Sequence, residues 1–265
     1  MSEVAFPSEA VVSQTRDLPQ ESCGVIGVYA PGEDVARLAF FGLFALQHRG
    51  QESAGVAVSD GETIRLHTAM GLVAQAFREH DLERLTGHIA IGHTRYSTTG
   101  SNRLSNAQPN LVKGPYGELA LGHNGNVVNA LALRQEMEEW GCRFSATTDS
   151  EVIACVLANA PGLDWSERVQ YLMRRVQGAY SLVVLTRDAL MAIRDPLGVR
   201  PLCVGKMSGG WIVASETCAL DHLGAQFIRE VAPGEAIIIY EKGMRTLHWS
   251  GERKRGLCIF EYIYF

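Results

Sequence analysis

Short hydrophobic segments come in adjacent pairs along this chain, and its helical stretches fall together between two such groups. The strict β-α alternation of a parallel sheet is missing, so the order points to antiparallel sheets covered by helices, an α+β arrangement. CGVIGVYA, from Cys23, reads as a short buried strand. Residues 33–48 run helical, with Val35, Leu38, Ala39, Gly42, Leu43 and Leu46 on one stripe. SAGVAVSDGETIRLHTA reads as two strands turning at Asp60-Gly61, a strong hairpin signal. HIAIGHTRYS and ELALGHNG are further strands, with a polar loop from Thr99 to Gly117 between them. Helices are expected near 129–140, ended by Gly141, and near 149–160 and 164–177. AYSLVVLTRD and ALMAIRDP make another hairpin; WIVASE and EAIIIYEKG add strands, with Pro233-Gly234 turning into the second.

What lies outside this pattern also constrains the chain. Residues 1–22 are polar and unpatterned, carry Pro7 and Pro19, and read as a disordered leader. They lack the basic start and apolar run of a signal peptide. No stretch approaches the roughly 20 apolar residues needed to span a bilayer. A net charge of -5, with Arg253, Lys254 and Arg255 as the one tight basic cluster, gives no reason to expect nucleic acid or an anionic membrane as partner. Six cysteines at 23, 142, 155, 203, 218 and 258 are too sparse for a disulfide scaffold and lack the spacing of a zinc or thioredoxin motif. A reducing, cytoplasmic setting is expected. No glycine-rich phosphate loop occurs. EYIYF, up to Phe265, is an apolar run of a kind that does not usually end a protein, so the expectation is a chain cut short.

Cys23 stands at the boundary between the leader and the first strand, between Ser22 and Gly24. A cysteine in an apolar strand usually serves as a small buried hydrophobe. Removal of the leader would instead make Cys23 the N-terminal residue, with an α-amino group of pKa about 7.7–8.0 able to accept a proton. One residue would then supply both nucleophile and base. In GHTRYSTTG, Arg95 at a strand end suits a two-pronged clamp on a carboxylate, or is a surface arginine beside a Ser/Thr turn. His93 invites a Cys-His dyad, yet a histidine in such a strand is more often a satisfied core group. In GHNGNVVN, Asn124 and Gly125 are either a hairpin turn or an oxyanion hole formed by a side-chain amide and a backbone N–H. Asp149 in TTDSEV serves as a helix N-cap or as the acceptor of an ammonium group. Together these groups match glutamine: a carboxylate clamp, an ammonium acceptor, a nucleophile and a stabiliser for the amide oxygen.

The ordered spacing of CGVIG, LQHRGQESAG, GHTRYSTTG, NAQPN, GHNGNVVN and TTDSEV resembles the class II glutamine amidotransferases, which are N-terminal-nucleophile hydrolases. LQHRGQESAG, RDPLGVRPL, ASETCALD and FEYIYF are similar to the amidophosphoribosyltransferases within that group. The resemblance runs from Cys23 to Phe265 and implies a four-layer αββα sandwich of two antiparallel sheets. It implies Cys23 as nucleophile after loss of residues 1–22, Arg95 and Asp149 as glutamine anchors, and Asn124 with Gly125 as the oxyanion hole. Arg49 in the HRGQ loop is implied to lie over bound glutamine; an arginine after a helix end also fits simple pairing with the helix dipole. Residues 23–255 are then the glutaminase domain, and 256–265 begin a connection to a phosphoribosyltransferase domain that this chain lacks. In the intact enzyme, ammonia would displace pyrophosphate from phosphoribosyl pyrophosphate, giving phosphoribosylamine, the first step of purine synthesis. The alternative is the same domain serving another acceptor, such as a sugar phosphate. Members of the family with a leader often hold a 4Fe-4S cluster, which would make Cys258 one of four thiolate ligands, the others outside this chain; a buried cysteine in an apolar strand is the alternative. It further implies Mg2+ in the missing domain and a homotetramer when intact. RDPLGVRPL is expected to be a structural or interdomain loop.

Overall fold

A computed structural model describes residues 23–96, 103–249, 251 and 256. The leader, the STTG run, the basic cluster and Cys258 with its FEYIYF neighbours lie outside the described residues.

The first strand, β1 (Gly24–Tyr29), is buried on both faces, which is why its sequence is a continuous apolar run without period-2 alternation. Asp34 caps the helix that follows, accepting from the Arg37 N–H at 3.1 Å, and α1 (Val35–Ala45) buries Val35, Ala39, Gly42 and Leu43. The expected hairpin is β2 (Ser53–Ser59) and β3 (Ile64–Met70), paired from Ser53↔Met70 to Ser59↔Ile64. Its loop is held by the Asp60 carboxylate, which accepts from the Glu62 and Thr63 N–H groups at 2.9 and 2.8 Å. Two short helices, α2 (Val73–Ala76) and α3 (Glu79–Glu83), lead into β4 (Ile89–Arg95).

The stretch read as a polar loop contains a strand, β5 (Asn110–Gly114), ahead of the long β6 (Gly117–Val127). The three expected helices are α4 (Ala130–Glu139), α5 (Asp149–Ala158) and α6 (Trp165–Arg175). The hairpin β7 (Gly178–Leu185) and β8 (Leu190–Arg194) follows as expected. Beyond it are β9 (Cys203–Met207), β10 (Gly210–Ala214), α7 (Thr217–His222), β11 (Gln226–Glu230), β12 (Glu235–Tyr240) and β13 (Gly243–His248).

All of these strand pairs are antiparallel, and they form two sheets. The seven-stranded sheet runs β11-β9-β10-β1-β4-β2-β3, and the six-stranded sheet runs β13-β12-β8-β7-β6-β5. Between them lies a core to which both contribute: Val25, Ile89, Ile91 and Val213 from the first, Val183, Leu185, Leu190 and Ile237 from the second. The opposite face of the first sheet packs Ile26, Val56 and Ile212 against Leu43 of α1 and Leu220 of α7. The outer face of the second packs Leu121, Leu182 and Ile193 against Val152, Val156 and Leu172 of the helix pair α5 and α6. The layers therefore run helix, sheet, sheet, helix, the αββα sandwich that the resemblance implied.

In RDPLGVRPL, Asp195 is fully buried and accepts from the N–H groups of Tyr180, Leu197 and Gly198 at 3.1, 2.8 and 2.9 Å. Arg194 donates to the carbonyls of Arg200, Val231 and Gly198. The stretch closes its own turn with buried polar groups, as a structural loop must.

Candidate active site

Antiparallel pairing brings the start of β1, the start of β2 and the end of β4 to one end of the first sheet, with Gly24 opposite Thr94 and Ser53 opposite Arg95. The His123–Gly125 stretch of β6 and the first turn of α5 meet them there. A cavity of about 20 Å³ lies at that junction, lined by Cys23, Arg95, Tyr96, Gln108, His123, Gly125, Thr148, Asp149 and Ser150.

Cys23 immediately precedes β1. Its sulfur lies 3.5 Å from both the N–H and the carbonyl oxygen of Tyr96. Burial pushes the Cys23 thiol pKa up; the Tyr96 backbone and the charges of Arg95 and Arg49 pull it down, and Asp149 adds to the rise. The net effect is upward, so the thiol is protonated and needs a base to become a nucleophile.

Arg95 is almost fully buried and donates to Glu52 Oε1 at 2.6 Å. Glu52 belongs to the same LQHRGQESAG stretch as Arg49. Asp149 is the first helical residue of α5, while Thr148 occupies the cap position without a side-chain capping bond. The N-cap reading of Asp149 thus gives way to a carboxylate that accepts from the Val127 N–H at 2.9 Å and lies 3.8 Å from His123 Nδ1. A carboxylate in a helix's first turn is also favoured by the dipole.

Asn124 is buried, and its Nδ2 is a buried donor without a hydrogen-bond partner. Such a group carries a free-energy penalty unless something arrives to accept from it. Gly125 beside it has φ +151°, and a Cβ there would fall 2.0 Å from the Ala179 carbonyl oxygen, so glycine is needed for β6 to approach β7. Asn124 and Gly125 are not a hairpin turn: both pair within the sheet, with Ser181 and Tyr180.

His93 takes the core reading that the sequence favoured, whereas Arg49 departs from its expected placement. His93 pairs with Val25, two positions inward from Cys23, and its Nε2 donates to the His123 carbonyl at 3.0 Å. Burial pushes its pKa down to about 3, so it is a neutral core histidine and forms no dyad. Arg49 is fully buried and does not line the cavity. Its Nε donates to the Cys23 carbonyl at 3.1 Å, and its Nη1 pairs with Glu216.

The cavity also gathers residues to which the sequence reading gave no role. Gln108 Oε1 accepts from the His123 N–H at 2.8 Å, and His123 Nδ1 lies 3.1 Å from Ser150 Oγ. Burial is the first cause that lowers the His123 pKa, against the pull of Asp149. Each lies inside a motif already singled out — NAQPN, GHNGNVVN, TTDSEV — so the signal was present, but nothing local marks them as facing the cavity.

Residues 93–222 match a glutamine amidotransferase domain family. Over 255 residues the chain is 49% identical to an amidophosphoribosyltransferase of Synechococcus elongatus, covering 94% of this chain and 52% of that protein. It is 47% identical over 246 residues to the Archaeoglobus fulgidus amidophosphoribosyltransferase, covering 92% of this chain and 54% of that protein. A solved structure of Bacillus subtilis glutamine phosphoribosylpyrophosphate amidotransferase, complexed with ADP and GMP, superimposes with a TM-score of 0.85 at 39% identity, covering 92% of this chain and 52% of that one. The chain spans about half the length of the curated relatives it matches. Among the described residues no helix is long and apolar enough to cross a membrane.

Proposed function

We propose that this chain, whose residues 93–222 match a glutamine amidotransferase domain family, hydrolyses glutamine to glutamate and ammonia through a thioester on Cys23. The observation that carries this reading is that Cys23, Arg95, Asp149 and Gly125 line one cavity, while Asn124, next to Gly125 in the chain, keeps a buried amide donor without a partner. In the reading, Arg95 takes the substrate carboxylate and Asp149 the ammonium group. Loss of residues 1–22 frees the Cys23 α-amino group, which takes the thiol proton as sulfur attacks the side-chain amide carbon. The oxyanion accepts from Asn124 Nδ2 and the Gly125 N–H, donors preorganised for charge that develops only in the transition state. Ammonia leaves once the α-ammonium group returns the proton to the amide nitrogen, and water then cleaves the thioester to glutamate and the free thiol. A cavity of about 20 Å³ takes about one water molecule, so its walls move apart when glutamine enters, and Glu52 shares Arg95 with the substrate.

In the full-length protein the ammonia would convert phosphoribosyl pyrophosphate to phosphoribosylamine, in the cytoplasm and in a homotetramer. The relatives' names favour that acceptor over a sugar phosphate. A 4Fe-4S cluster needs four thiolates; the one group of three clustered metal-ligating side chains among the described residues contains a single cysteine, so these residues do not fit it. Cys258 lies outside them, and Mg2+ would belong with the phosphoribosyltransferase part.

The test is intact-protein mass before and after incubation with a glutamine-mimicking diazo-ketone. The expected result is loss of residues 1–22 and one label on Cys23, with Cys23→Ala unlabelled and inactive. Undiminished glutamine hydrolysis in Cys23→Ala sinks the reading.

A further inference from the structure

Glu216 lies in the ASETCALD stretch, to which the proposed chemistry gives no part. It follows β10 and precedes the first residue of α7. The backbone here is tied to the strand that carries Cys23. The Ser215 N–H donates to the Val25 carbonyl at 2.9 Å, and the Val25 N–H donates to Ser215 Oγ at 2.9 Å. The two oxygens of the Glu216 carboxylate are divided between different partners. Oε1 accepts from Arg49 Nη1, while Oε2 lies 3.0 Å from His48 Nε2 and 3.6 Å from Cys218 Sγ. Burial pushes the Glu216 carboxyl pKa up, but Arg49 and His48 outweigh it and hold the group below its ordinary value. On its other side Arg49 donates to the Cys23 carbonyl at 3.1 Å. Gly50 next in the chain lets this turn lie against β4: a Cβ there would fall 2.7 Å from the Thr94 carbonyl carbon.

We propose that Glu216 is a positioning residue for the nucleophile, acting through Arg49 on the carbonyl of Cys23. The inference rests on the reading of Cys23 as nucleophile. A residue at a chain terminus frays unless its backbone is tied down, and after processing Cys23 would be such a residue. Arg49 holds the Cys23 carbonyl, so the sulfur stays beside Tyr96 and the cavity. A fully buried guanidinium in turn needs a counter-charge in fixed geometry, and Glu216 supplies it. The pair has a second effect on the sulfur. The positive charge of Arg49 favours the thiolate, and Glu216 offsets part of that charge. Removing the carboxylate therefore loosens the position of the thiol and also makes it easier to ionise. A residue needed for folding alone would do neither.

The test uses the full chain. Glu216→Gln keeps the size of the side chain and removes its charge. Turnover of glutamine per Cys23 site, counted by diazo-ketone labelling, is expected to fall about 10- to 100-fold, as misplacement of a reacting group does. The glutamine KM is expected to stay within about twofold, because Glu216 does not touch substrate. The pH midpoint for alkylation of Cys23 by iodoacetamide is expected to move downward. Glu216→Asp keeps the charge but draws it back by one methylene. It is expected to recover part of the turnover and to leave the midpoint in place. Normal turnover per labelled site in Glu216→Gln, or a loss confined to KM, overturns the proposal. Should the Gln variant not fold, normal turnover per site in Glu216→Asp overturns it equally. Failure of the underlying reading looks different: glutamine hydrolysis then survives Cys23→Ala, whatever position 216 holds.

Discussion

The middle of the sandwich and its Cys23 end are both buried, yet they are built on opposite principles. In the middle, Val25, Ile89, Val183, Leu190 and Ile237 interlock from two sheets, where apolar swaps that keep the volume are tolerated best. At the end, Arg49, Arg95, His93, His123 and Asn124 are buried polar groups whose partners are fixed one by one. Three of them keep a buried polar atom without a hydrogen-bond partner: Asn124 Nδ2, His93 Nδ1 and His123 Nε2. The centre is optimised for the folded state. The end holds back some of that stability, which is how sites that bind and react are commonly made.

Four substitutions or conditions test this contrast. The largest effect is expected at Asn124→Ala: the loss of one oxyanion donor lowers kcat by about 10²- to 10³-fold. Thermal unfolding of the same variant is expected to be unchanged or later, since a buried amide donor without a partner is removed. A marked loss of stability there would erase the distinction between the two regions. Leu190→Ala, in the fully buried core between the two sheets, should do the reverse. It is expected to destabilise by about 2–5 kcal/mol in denaturant unfolding while turnover per folded molecule stays normal. Asp149→Ala is expected to raise the glutamine KM by about 10- to 100-fold, well beyond its effect on kcat, as loss of an ion-paired anchor does. A fall in kcat at constant KM would contradict its anchoring role.

The smallest effect concerns His93 and pH. Its folded pKa of about 3 lies below the unfolded value of 6.5, so between those values the unfolded chain binds the extra proton. The stability contributed by neutral His93 is thus complete above the unfolded pKa and is lost as pH falls. The slope is at most about 1.4 kcal/mol per pH unit in that window. His93→Gln, followed by denaturant unfolding between pH 7 and 4, is expected to flatten the dependence. An unchanged slope would mean that other groups carry it.

The fold was legible where burial on both faces left a strong apolar signal. The hairpins β2–β3 and β7–β8 and the helices α1, α4, α5 and α6 match their expected positions within a few residues. The strands that escaped notice are mostly edges. The burial of β5 alternates, β11 is exposed at four of its five positions, and β13 at five of six. Such segments are strands because a neighbour offers backbone partners, and their own side chains record little of it. The short helices α2, α3 and α7 are of four to six residues, too few for a periodic stripe to be read.

The sequence by itself determined antiparallel sheets covered by helices and the chemical groups proposed for the site: a thiol, an arginine, a carboxylate and an amide, each within a short motif. Only the tertiary structure decided which of them face one another. It carried Arg49 onto the Cys23 carbonyl instead of over the cavity, drew His93 away from Cys23, and set Glu216, 193 positions along the chain from Cys23, within one side chain's reach of it. The physical reason is that patterning and propensity act over a few residues. Burial, hydrogen-bond partnership and electrostatic coupling depend on distances in space, which strand register and sheet packing alone establish.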